Sequence, residues 1–324
     1  MVKLLMLNQT APDRFILLGF SDFCESRVLL LLSFLIIYIV TIMGNVLIVV
    51  TVLSQHCLHT PMYWFLSNLS FLEICYTTNI VPRMLCGFRS EKSTISLPGC
   101  MIQFYLFASL GTTECLLLGM MAFDRYLAIC HPLHYTTVMT GRVCTQLAAG
   151  SWAWGFLIPV ITVAVMSRLT FCGPNEIDHF FCDFKPLVKL SCTDSYSIET
   201  TVCILSSAVT LVPFVLILVS YTHILRAILR IPSTTGKQKA FSTCSSHLIV
   251  VTTFYGTLIV MYVAPSANHS PALNKVFSLL YTTGTPMLNP IIYSLRNQEV
   301  RESVKKLLKA MTLKGGRFKV TLCK

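Results

Sequence analysis

Seven times along this chain an apolar run passes with almost no charge, at residues 28–53, 61–85, 101–129, 143–167, 200–225, 240–263 and 276–295. Each run is long enough to cross a bilayer as a helix, which takes roughly 20 residues. The links between them are short and leave no room for a separate soluble domain. Only 12% of the residues are charged and 54% are hydrophobic, about half the charge share of a soluble protein. Seven buried helices of a soluble core are excluded, because such helices carry a polar face and these runs mostly do not. A transmembrane β-barrel is excluded as well, because the runs are too long and do not alternate. The expected fold is an all-α membrane protein, a bundle of seven transmembrane helices.

Orientation follows from charge. The first residues carry one Lys in a short apolar run and then turn polar, which is no cleavable signal peptide, so the first span is expected to serve as its own insertion signal. With the N-terminus outside, fifteen of the twenty-five Lys and Arg fall on the cytosolic side, including nine from Arg296 onward. That bias has the sign expected of a cytosolic face. The first span alone disagrees, since Arg27 precedes it and residues 54–60 carry no Lys or Arg. Asn8-Gln9-Thr10 is a glycosylation acceptor pattern, which works only outside, and a cysteine cluster lies on the same side. Asn268-His269-Ser270 is a second such pattern close to the bilayer. The net charge of +11 is then a cytosolic membrane-surface charge that meets lipid, with no reason to expect nucleic acid. Residues 1–27 are expected to form an extracellular tail, 28–295 the membrane domain, and 296–324 a cytosolic tail. Val300, Val304, Leu307 and Leu308 recur there at helical spacing between Lys and Arg, the pattern of a short amphipathic helix lying on the inner leaflet.

Polar groups inside the runs are the candidate functional residues, because they are costly in hydrocarbon. Residues 119–135, GMMAFDRYLAICHPLHY, end the third run with Asp124, Arg125 and Tyr126 side by side. Glu73 and Glu114 sit near the middle of the second and third runs. Two such acids share a proton, hold a small cation, or stand as independent protonated carboxyls; spacing leaves these open. Asn45 lies in the first run beside Gly44, where its amide needs partners within the bundle. Asn289-Pro290 interrupts the seventh run, and the Asn side chain is placed to satisfy backbone freed by the Pro.

Cys100, Cys172, Cys182 and Cys192 lie on the outer side and point to two disulfides, for which three pairings exist. Cys24 is left unpaired, and the cysteines within the runs read as small hydrophobes. His179 has no ligand partner at zinc spacing, so no metal is expected. No phosphate loop, nucleophile elbow or HExxH motif is present; the chain is not an enzyme and calls for no cofactor.

The motifs converge on one family. Gly44-Asn45, Asp124-Arg125-Tyr126 and Asn289-Pro290 with Tyr293, set in seven runs, resemble the rhodopsin-like G-protein-coupled receptors. More narrowly, LHTPMY (58–63), MAFDRYLAICHPLHY (121–135), Ser220-Tyr221, KAFSTCSSHL (239–248) and PMLNPIIYSLRN (286–297) resemble an olfactory receptor of the tetrapod-type class II. The likeness runs from about residue 15 to residue 309. Phe123 and Trp64 depart from it, where the family more often has Tyr and Phe.

This resemblance implies several things. Cys100 would pair with Cys182 and Cys172 with Cys192. Glu73 and Glu114 would form a shared proton or sodium site. Tyr255 would sense ligand at the pocket floor. Arg125 would be held by Asp124 in the silent state and swing towards Tyr221 and Tyr293 in the active one. The pocket would lie between the outer halves of spans three, five, six and seven, lined by Phe104, Phe107, Ala108, Gly111, Thr112, Leu205, Ser206, Val209, Leu258, Ile259, Tyr262 and Thr282. That set is apolar with a few hydroxyls and no charge, which fits a small neutral volatile odorant. The implied partner is a stimulatory heterotrimeric G protein that raises cyclic AMP, at the plasma membrane. A non-olfactory receptor for a small lipophilic ligand is the alternative; a transporter or proton channel using Glu73 and Glu114 is the remaining one, against which stands the lack of internal repeats.

Overall fold

The computed structural model describes residues 14–20, 26–89, 93–172, 175–263, 271–296 and 298–313. Asn8, Cys24 and Asn268 lie outside them.

The apolar runs form helices that extend beyond the runs themselves. These are α1 (Arg27–Ser54), α2 (Pro61–Arg89), α3 (Leu97–Cys130), α4 (Gly141–Met166) and α5 (Tyr196–Arg230). Next comes α6 (Thr234–Leu258), which passes into a π turn at Ile259–Val263. Then α7 is built of Pro271–Leu279, a second π turn at Leu280–Gly284, and Thr285–Arg296. A last helix, α8, spans Gln298–Leu313. Caps set several starts. Ser96 Oγ accepts from Gly99 N–H at 3.2 Å, with Pro98 in the first turn of α3, and Thr140 Oγ1 accepts from Val143 N–H at 3.4 Å. Such caps satisfy backbone donors that the helix cannot.

Among the described residues, five helices, Arg27–Ser54, Leu97–Cys130, Gly141–Met166, Tyr196–Arg230 and Thr234–Val263, are long and apolar enough to cross a membrane. In α2 polar Ser67, Ser70, Glu73 and Thr77 lower the hydropathy, and all four are buried. The apolar faces of α1 and α5 point outward instead: Leu29, Ile36 and Met43, and Ile204, Val212 and Val219, are all exposed. Apolar surface on this scale belongs against lipid. On α4 the inward stripe reads Cys144, Ala148, Ser151, Gly155, Pro159, Thr162 and Met166, at three- and four-residue steps and mostly small. Small residues let helices approach closely where no water drives them together. A Cβ on Gly155 would stand 1.9 Å from Thr113 Oγ1 of α3, and one on Gly44 of α1 would stand 3.0 Å from the Pro290 ring of α7.

One end of the bundle carries a small sheet of β1 (Arg14–Leu17), β2 (Ser93–Ser96) and β3 (Glu176–Ile177), in the order β2-β1-β3. Strand β1 runs antiparallel to β2, with Arg14 opposite Ser96, and parallel to β3, with Ile16 opposite Glu176. Phe15 and Leu17 turn inward and are buried, as alternation along a strand requires. Two disulfides join Cys100 to Cys182 and Cys172 to Cys192, with Cα separations of 5.5 and 5.8 Å. The first ties the long loop after α4 to the start of α3. The loop also contains a short helix at Phe184–Lys189, capped by the Asp183 carboxylate.

Candidate functional site

A partly open cavity lies within the bundle beneath the disulfide-bonded loop, about 700 Å³ when the space at its open mouth is counted. Ten residues expected at a pocket line it: Phe104, Phe107, Ala108, Gly111, Thr112, Leu205, Ser206, Val209, Leu258 and Tyr262. Tyr76 of α2, Cys115 of α3, Ile158, Pro159 and Thr162 of α4, Phe184 of the loop, and Val202 and Thr210 of α5 complete the wall. No lining side chain carries a formal charge.

The cavity therefore differs from the expected one in its boundaries. Spans three, five and six contribute, but α7 does not; α2 and α4 take its place. Aromatic packing is the reason. The Phe107 ring lies 5.0 Å from Phe181, 5.7 Å from Tyr76 and 5.9 Å from Tyr281, which closes the α7 side. Thr282 is fully buried there and gives its hydroxyl to Ser278 O at 2.7 Å. Ile259 is the first residue of the α6 π turn and is not part of the wall. Tyr255 lies one layer below: its hydroxyl donates to the carbonyl of Cys115 at 2.8 Å and its ring stacks on Phe214 at 5.2 Å. It is not part of the wall, but it bonds Cys115, which is. The inward stripe on α4 was the signal for the missed wall, since Pro159 and Thr162 continue it from Gly155.

Above the cavity the loop binds α6 through a buried carboxylate. Tyr262 donates to Asp183, whose two oxygens each lie 3.1 Å from its hydroxyl, and Tyr262 and Tyr281 share a hydrogen bond of 2.9 Å. Both tyrosines sit in the π turns, an insertion that re-aims side chains and recurs at functional sites. Burial raises the Asp183 carboxyl above the usual range, against its bonds to Phe184 N–H and Tyr262. Nearby, Lys275 pairs with Asp178 at 2.6 Å. His179 is buried, stacks on Phe180 at 4.6 Å, and is held down at about 3 by burial, with Lys275 adding to the effect.

Deeper in the bundle, Glu73 and Glu114 are both fully buried. Asn289 Nδ2 donates to Glu73 Oε1, while Glu73 Oε2 and both Glu114 oxygens have no hydrogen-bond partner among the described residues. Asn45 Nδ2 reaches across to Pro286 O of α7 at 3.1 Å as well as to Thr41 O. Burying carboxylate oxygens without partners is costly.

At the far end, Asp124 is 2% exposed. It does not hold Arg125: Asp124 Oδ1 accepts from Tyr135 at 2.9 Å, and among the described residues no ion pair joins the two. Arg125 instead reaches Met62 Sδ at the start of α2. Tyr135 lies on the two-turn helix Pro132–Val138, which brings its hydroxyl back under α3 and occupies the acid. Tyr126 bonds His131 Nε2 at 3.0 Å, Tyr221 of α5 bonds His247 Nδ1 of α6 at 2.8 Å, and the buried Tyr293 hydroxyl has no hydrogen-bond partner among the described residues. Pro290 packs against Gly44. Nothing in the sequence around His247 marks it as the partner of Tyr221, which lies twenty-six residues earlier on another helix. Tyr63 donates to Glu299 of α8 at 2.7 Å.

A family model described as Olfactory receptor matches residues 34–311. Human olfactory receptor 11A1 is 52% identical over 301 residues, covering 93% of this chain and 95% of its own. Human olfactory receptor 6B1 is 50% identical over 300 residues, 93% of this chain and 96% of its own. Mouse olfactory receptor 1M1 is 45% identical over 301 residues, 93% and 96% of the two chains.

Proposed function

The chain belongs to the olfactory receptor family, and from that we propose that it detects a small neutral volatile and passes the signal to a stimulatory heterotrimeric G protein that raises cyclic AMP. The observation that carries the ligand class is the uncharged cavity wall, apolar but for hydroxyls such as Thr112, Thr162, Ser206 and Thr210 and the rim tyrosine Tyr262. A neutral molecule with one or two hydrogen-bonding atoms loses least on entering it; an amine would enter unpaired.

As a receptor it is a multi-pass protein of the plasma membrane and not an enzyme. In the arrangement we propose, α1 to α7 all cross, the strand-bearing end faces outside, and residues 1–27, with Asn8 as glycosylation acceptor, are extracellular. Residues 28–295 form the transmembrane domain. Residues 296–324 are cytosolic, with α8 on the inner leaflet, where its basic residues meet anionic lipid.

Activation in this reading is an exchange of partners at the cytosolic end. Arg125 leaves Met62 and moves towards Tyr221 and Tyr293, which sit on α5 and α7 and include an unpartnered hydroxyl. Asp124 and Tyr126 fix the end of α3 through Tyr135 and His131, and Asn289-Pro290 supplies the flexible point in α7. Glu73 and Glu114 hold one proton or one sodium ion between them, which makes their burial tolerable.

The test is an odorant panel applied to cells that report cyclic AMP. Gly111 lines the cavity and a Cβ there meets nothing closer than Tyr76 at 4.0 Å, so Gly111→Leu fills the cavity without breaking the bundle. Response to a confirmed agonist is expected to fall while surface display persists. An agonist response unchanged in this variant would remove the cavity from the proposal.

A further inference from the structure

A second space opens beside the first. A vestibule, about 1410 Å³ when the space at its open mouth is counted, lies between the loop helix Phe184–Lys189 and the outer parts of α5 and α6. Phe184, Val202, Ser206 and Tyr262 belong to its wall and to that of the deep cavity, so the two meet. Their chemistry differs. The deep cavity has no charge, whereas the vestibule wall carries Lys185 and Lys189, four residues apart on one face of the loop helix. Glu199 is its acid, exposed and already accepting from Ser195 at 2.5 Å. The rest is largely apolar, with Val188, Val202 and Ile204 among it.

Lys185 is the placed cation. Its stem is half-buried and its amine donates to the Met261 carbonyl at the top of α6, which uses one of three donors. The neighbouring Asp183 does not neutralise it by contact. Asp183 is taken up by Phe184 N–H at 2.7 Å and by Tyr262, and no ion pair joins it to Lys185 among the described residues. Burial pushes the Lys185 amine below its usual value, with Asp183 opposing this; an anion at the open donors would offset that desolvation.

We infer that the vestibule is a separate binding site for a small monocarboxylate with an alkyl chain, its head on Lys185 with Lys189 assisting, its chain along Val188 and Val202. This site does not rest on the neutral-odorant reading of the deep cavity.

The test uses purified receptor in phosphatidylcholine nanodiscs at pH 7.5, with hexanoate and 1-hexanol as probes and binding measured by calorimetry, so that signalling plays no part. Hexanoate is expected to bind about fivefold more tightly than 1-hexanol, the range of one partly exposed charge pair. Lys185→Gln removes that preference, and Lys185→Arg keeps it. Gly111→Leu, which fills only the deep cavity, leaves hexanoate binding in place. Equal binding of the two probes by the unaltered receptor overturns the inference, whatever the variants do. So does a carboxylate preference that survives Lys185→Gln or vanishes in Gly111→Leu.

Discussion

Replacing Gly155 by Ala tests how closely α3 and α4 are packed. The new Cβ would lie 1.9 Å from Thr113 Oγ1, 2.9 Å from Thr113 Cβ and 3.1 Å from its Cα. The first contact could be relieved by rotating Thr113, but its hydroxyl donates to Ser109 O at 2.8 Å, and losing that bond costs about 1 kcal/mol. Rotation leaves the other two contacts in place, and one of them is backbone. The helices must therefore part by a few tenths of an ångström, an overpacking cost of roughly 1–3 kcal/mol. The total is about 2–4 kcal/mol. It would be read as a lowered inactivation temperature of purified receptor at a fixed heating rate, since unfolding of such a protein is not reversible. Thr113→Ala in the same chain removes the worst contact and should restore at least about 1 kcal/mol, a coupling expected only of touching residues. If Gly155→Ala is neutral, or the two substitutions simply add, the close approach is wrong.

Other outcomes are equally concrete. Arg125→Ala should abolish the cyclic AMP response to an agonist at unchanged surface display, and a persisting response would sink the proposed switch. Cys182→Ser opens the Cys100 bridge and should prevent surface expression or agonist response; normal behaviour of both would show that the tether is dispensable. Gly44→Ala presses on the Pro290 ring at 3.0 Å and should cost about 1–2 kcal/mol in the same heat-inactivation assay. His179 has a folded value near 3 against an ordinary 6.5, so the unfolded chain takes up the proton first. Its contribution is complete above pH 6.5 and is lost as pH falls towards 3, at up to about 1.4 kcal/mol per pH unit. His179→Phe should flatten the loss of heat resistance between pH 7 and pH 5; an unchanged slope would refute that origin.

The long elements were legible because hydrocarbon imposes length and apolarity together. The helices nevertheless run past the apolar runs: α5 spans Tyr196–Arg230 where the run covers 200–225. Composition marks where chain is greasy, whereas caps such as Ser96 and Thr140 mark where hydrogen bonding starts. The sheet was not legible. Its strands hold two to four residues, too few for a period to show, and their partners are distant. Most of the cavity wall could be named from resemblance, since those positions sit on one face of α3 and α5. Its true neighbours could not: whether α4 or α7 closes the cavity depends on where Phe107, Phe181 and Tyr281 pack, and ring packing is a three-body fact. The Asp124–Tyr135 bond is of the same kind. Adjacent charges at 124 and 125 suggest a pair, but consecutive helical residues point in different directions, and a third side chain takes the acid.

Strand β1 also sets the order in which the molecule can be completed. Its parallel partner, Ile177 opposite Leu17, follows roughly 160 residues later, about 10–30 s of synthesis at ordinary ribosomal speed. On the proposed orientation, β1 enters the lumen before the other described elements; one edge can pair with β2 once α2 has inserted, but the other stays open until α4 has inserted and the loop that carries β3 has been exported. A strand with an open edge and an apolar Phe15 is an invitation to foreign pairing. The roof of this receptor is thus among the last parts to close although it begins with the earliest residues, and a lumenal chaperone that holds extended segments would be needed most during that interval.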